Sequence, residues 1–119
     1  MTKKLKTPIG DFYLQYDHPM KVDCYCDLLD SNKKFITPIY NKDDIKELKS
    51  IKSIGDIVQI LSLENCTWGQ SIEELTDEIN DAYFNDPEYP EDNFTLEDME
   101  NYMFLNKVGE TYFIINFEG

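Results

Sequence analysis

Five carboxylates crowd one short stretch: Glu73, Glu74, Asp77, Glu78 and Asp81. On a helix turning about 100° per residue, with Glu73 at zero, Asp77 falls near ~40°, Asp81 near ~80°, Glu74 near ~100° and Glu78 near ~140°. The apolar residues Ile72, Leu75, Ile79 and Tyr83 fall together between about 200° and 280°. No basic residue stands at i+4 to neutralise the acids, so they repel one another by a few tenths of a kcal/mol per like-charge pair. A face of this kind suits the capture of cations: each carboxylate can accept charge-assisted hydrogen bonds from a lysine or arginine. The five charges span about 12 Å, one per roughly 2.5–3 Å, against about 3.4 Å along one strand of duplex DNA. To a groove lined with Lys and Arg, such a surface offers much of what a nucleic-acid backbone offers. Asp86, Glu88, Glu91 and Asp92 continue it past the helix, with Glu97, Asp98 and Glu100 beyond them.

Other residues that do chemistry elsewhere are poorly supported here. His18 is the one histidine; it stands beside Pro19 with no Gly-x-Ser-x-Gly elbow, so it reads as a turn residue. Cys24 and Cys26 lack the second pair a structural zinc site needs and read as packed thiols. The stretch from Asp86 to Asn93 is rich in oxygen donors but lacks the spacing and glycine of an EF-hand loop. No Gly-rich phosphate loop is present. Trp68 reads as a packing residue at the core or its rim, and Lys3, Lys4 and Lys6 as a frayed tail. No catalytic residue, metal or cofactor is assigned, and the expectation is a protein that is not an enzyme.

The whole chain sharpens the picture. Its 119 residues fit one domain, residues 1–119, and 41% apolar with 13% aromatic residues supports a packed core. Against 24 Asp and Glu there are 11 Lys and no Arg, a formal charge of −13. That balance argues against direct binding of nucleic acid or of an anionic membrane surface. The charge is uneven: residues 1–55 hold ten Lys and eight acids, whereas residues 56–119 hold sixteen acids and Lys107 alone. No apolar run is long enough for a transmembrane helix, and Thr7-Pro8-Ile9-Gly10 follows the first lysines where a signal peptide would turn apolar. Three cysteines, an odd number, fit free thiols in a reducing cytoplasm.

The elements that must position these residues follow from periodicity. Residues 11–16 predict an aromatic strand. Residues 22–29 alternate, with Val22, Cys24, Cys26 and Leu28 on one face, as in a half-buried strand. Asp30-Ser31-Asn32-Lys33 is a turn leading to a hairpin partner over 34–40, which Pro38 marks as an edge. Asn41 caps a helix to about Lys49; Ser53 and Asp56 suggest a capping box for a second helix at 54–63. Asn65–Gln70 reads as a loop. Ser71 and Glu74 start the clearest helix, 72 to about 84, and Thr95 with Asp98 a shorter one. Residues 103–107 pair with a strand at 111–117 that is exposed enough to pair two copies. The sum is an α+β domain: a mostly antiparallel sheet of strands from both chain ends, with three to four helices between them.

In size, charge and mixed α/β pattern the chain is similar to the small acidic proteins that phages and mobile elements direct against CRISPR effectors or restriction enzymes. It is similar also to immunity proteins that neutralise nuclease toxins. The likeness is in general character and carries over no residue; the charge spacing leads to the expectation of a nucleic-acid mimic whose partner is a basic nucleic-acid-binding protein, a nuclease or CRISPR effector. Glu73, Glu74, Asp77, Glu78 and Asp81, with Asp86, Glu88, Glu91 and Asp92, are the expected contacts, and Tyr89 or Phe94 the anchors. The alternatives are toxin immunity and a solvated acidic interaction domain without mimicry; oligomeric state is open.

Overall fold

A computed structural model describes residues 2–17, 23–84, 93–115 and 117. Seven strands and four helices follow in order: β1 (Thr2–Thr7), β2 (Gly10–Gln15), β3 (Cys26–Leu29), β4 (Phe35–Ile39), α1 (Asp43–Leu48), α2 (Ile54–Ile60), β5 (Cys66–Gly69), α3 (Ile72–Tyr83), α4 (Leu96–Glu100), β6 (Asn106–Val108) and β7 (Thr111–Ile115). The class is α+β, as the periodicity predicts, and every strand pairing is antiparallel. The strands divide, however, between two sheets: four in the order β1-β2-β3-β4, and three in the order β5-β7-β6.

The N-terminal lysines are not a frayed tail. Thr2–Thr7 pairs with β2 over its whole length, and Leu5 is buried opposite Phe12 while Lys3, Lys4 and Lys6 stay exposed. One apolar residue in six carries no period of its own; the neighbouring strand supplies the order. β3 is shorter than its alternation suggests, and all four of its residues are buried. It lies inside the sheet between β2 and β4, and Asp27 is buried there along with Cys26 and Leu28. Val22 and His18 lie outside the described residues. Pro38 does mark an edge strand, since β4 ends the four-stranded sheet.

Of the capping expectations, the one at α1 holds and the one at α2 does not. Asn41 Oδ1 accepts the Asp43 amide at 2.9 Å, so the predicted side chain caps α1 although the helix begins at Asp43. At α2 the Ser53 side chain makes no cap bond; Asp56 Oδ2 instead accepts the Lys52 amide at 2.7 Å. α4 does carry a complete box between Thr95 and Asp98.

The sheets meet at their turns. The β1–β2 and β6–β7 turns pack glycine against glycine: a Cβ on Gly10, whose φ is 142°, would stand 2.7 Å from the Gly109 amide nitrogen. Beside them the buried Asp30 carboxylate works as a clamp. Oδ1 accepts the amides of Asn32 and Lys34 at 2.8 and 2.9 Å, closing the β3–β4 turn, and Oδ2 accepts the Lys107 amide of β6 at 3.1 Å. Ser31 adds a bond from its amide to the Lys107 carbonyl, 3.2 Å, and from its hydroxyl to the Asp11 carbonyl, 2.6 Å. One apolar core fills the space between the four-stranded sheet, α1, α2 and the inner face of β6–β7, through Phe12, Leu28, Ile57, Val108 and Phe113. A second lies on the other side of the three-stranded sheet, where Leu75 and Ile79 of α3 meet Met99, Ile114 and Phe117. β7 is central to its sheet, so the expected pairing of two copies through a C-terminal edge strand does not apply.

Candidate functional site

α3 is the element the sequence marks most clearly, and its two faces separate as the wheel requires. Leu75, Thr76 and Ile79 are buried, whereas Glu73, Glu74, Asp77, Glu78 and Asp81 are all exposed. None of the five forms an ion pair among the described residues; the ion pair that does occur joins Lys4 and Asp11, 3.8 Å apart in the other sheet. Five unneutralised carboxylates thus share one helix flank.

The helix is held at both ends. At its start Ser71 Oγ accepts the Glu74 amide at 3.0 Å, and Glu74 Oε2 accepts the Gln70 amide at 3.2 Å, one residue earlier than a standard box. Acidic side chains in this first turn also face the positive end of the helix dipole. At its far end Asn80 grips the backbone of Phe94 twice, from Nδ2 to the carbonyl at 2.9 Å and from the Phe94 amide to Oδ1 at 2.7 Å. Phe84, Phe94, Tyr102 and Phe117 close an aromatic cluster around that junction. Phe94 is half-buried and engaged in this packing. Asp86, Glu88, Tyr89, Glu91 and Asp92 lie outside the described residues. Of the later acids, Glu97 and Glu100 are exposed on α4, and Asp98 accepts the Thr95 amide at 3.1 Å within its capping box.

The segment read as a loop, Asn65–Gln70, contains β5, and this is the part of the site that sequence reasoning missed. Trp68-Gly69 looks like a break in the pattern, but the glycine has a packing reason: a Cβ there would lie 2.7 Å from the Leu75 amide nitrogen, so α3 rests directly on the strand. Trp68 projects to the opposite face, where its ring lies beside Gly55 of α2, and it is 42% exposed. Between the outer edge of β5 and the flank of α3 runs an open groove of about 360 Å³, lined by Cys66, Thr67, Trp68, Glu74, Glu78 and Ala82.

Cys24, Cys26 and Cys66 are not joined by disulfides. Burial pushes Cys26 up to about 11, with Cys24 and Asp27 adding to it, and burial alone pushes Cys66 up to about 12. Both therefore stay protonated at neutral pH. From thiolate fraction alone, iodoacetamide at pH 8 should alkylate Cys26 about 200-fold and Cys66 about 2,000-fold more slowly than a free cysteine with its pKa of about 8.5, and mass mapping of the adducts checks this. A raised thiol pKa also fixes the sign of the alkaline response. The protonated form is the one the fold favours, so this contribution to stability is complete below pH 9 and is lost as pH rises towards 11 and 12.

Among the described residues no group of three His, Cys, Asp or Glu is placed to hold a metal ion, and no helix is long and apolar enough to cross a membrane. Comparison with protein-family models, with curated proteins and with solved structures gives no match to this chain.

Proposed function

We propose that this protein is an inhibitor that acts in the cytoplasm by occupying the basic nucleic-acid-binding surface of an effector, with the α3 flank as its contact surface. One observation carries the reading: five exposed carboxylates on a helix anchored at both ends, with no cation of the described chain paired to any of them. An acidic face kept only for solubility has no need of a rigid mount, and lysines mixed into it would remove the repulsion the chain retains. Anchoring also keeps the entropic cost of binding low, because the charges are already in place. Each exposed pair with a partner's Lys or Arg contributes little alone; many together give fast, salt-sensitive association.

The test is competition. A partner captured from the native host at low salt should release a labelled DNA or RNA as this protein is titrated in, and the effect should weaken steeply between about 50 and 200 mM salt, as phosphate-like contacts do. A partner that holds its nucleic acid equally well at saturating inhibitor would overturn the mimicry.

A further inference from the structure

The two sheets have four edges, and three are guarded against a further strand. β1 carries exposed Lys3, Lys4 and Lys6. β4 carries Pro38, which has no N–H to offer. β6 is closed by the Asp30–Ser31 turn, bonded to both the amide and the carbonyl of Lys107. β5 has none of these devices. Its residues are Cys66, Thr67, Trp68 and Gly69; it pairs with β7 on one side only, and no backbone bond among the described residues reaches its outer side. An unguarded edge is a template for another chain. Here it opens into the groove whose far wall is acidic, formed by Glu74 and Glu78.

We propose that the β5 edge receives an extended basic segment of the partner as an added strand, with lysine or arginine at alternate positions aligned on Glu74 and Glu78. This rests on the reading of α3 as the surface for a basic partner, and it names the shape of what binds. The spacings agree. Glu74 and Glu78 are one helical step of four apart, about 6 Å, and alternate side chains of a strand are about 6.8 Å apart. Backbone bonds to β5 fix the register, and the carboxylates select the side chains, as in other cases of strand addition. Charge also argues against a second copy of this chain, because pairing β5 with β5 brings two acidic walls together.

The experiment uses the whole protein and an eight-residue peptide of alternating Arg and Thr, compared with its backbone N-methylated analogue, which keeps every charge but has no backbone N–H. Calorimetry should give at least tenfold weaker binding for the analogue. Hydrogen exchange at the outward amides of Cys66–Gly69 should slow at least tenfold with the first peptide only, and the E74Q/E78Q variant should weaken its binding. Equal affinity for both peptides, with no change at β5, overturns strand addition and leaves the acidic-surface reading standing. Binding of neither removes that reading, and this inference with it. Protection of β5 that grows with protein concentration alone assigns the edge to a second copy and overturns the proposal.

Discussion

The triple variant Asp77→Lys, Glu78→Lys, Asp81→Lys is expected to melt several degrees higher than the native protein and to lose at least about 100-fold in affinity for a basic partner. The two effects have opposite signs because the native face is built against its own stability. The new lysines at 77 and 78 stand four residues after Glu73 and Glu74, the favourable order for helix pairs, each worth a few tenths of a kcal/mol. At 81 a carboxylate in the last turn gives way to a cation, which suits the negative end of the helix dipole. All three positions are exposed, and none supports the core. Glu74 is left alone because it caps the Gln70 amide. Thermal unfolding and titration against the partner read both quantities. A lower melting temperature would mean the face has a packing role, and unchanged affinity would assign the charges to solubility.

Asp30→Ala is expected to cost about 3–5 kcal/mol, a large fraction of the stability of a domain this size. The side chain is fully buried, and its two oxygens serve three backbone amides, two in the β3–β4 turn and one on β6 of the other sheet. Removing it leaves those donors without an acceptor and opens the joint between the β3–β4 turn and β6. Asp30→Asn is the milder control: one oxygen can still serve Asn32 and Lys34, but an NH2 group then faces the Lys107 amide, donor against donor. Urea unfolding should rank the two variants, and exchange at Lys107 should quicken in both. Unchanged exchange there would show that the clamp carries no load.

These two predictions draw on different parts of what the sequence discloses. α3 is legible from local order alone: Ser71, the apolar period through Leu75 and Ile79, and the unbroken acids on the other flank all agree. Thr95 and Asp98 announce α4 in the same way. Asp30 reads only as a turn residue, because its third bond reaches a strand 77 positions away. β1 and β5 are invisible for a related reason: Lys3-Lys4-Leu5-Lys6 and Thr67-Trp68-Gly69 have weak patterns and become strands through the neighbours that pair with them. The Ser53–Asp56 spacing shows the converse, a motif whose residues are present but whose bonds go elsewhere. The acidic half of the site could thus be read from spacing. The edge beside it could not, because edges depend on strand order.

β7 lends Phe113 to one core and Ile114 to the other. Because neighbouring residues of a single strand close both, neither core is complete until β7 is in place. A chain truncated before residue 113 is expected to keep two open apolar faces, exposed to proteases and to aggregation.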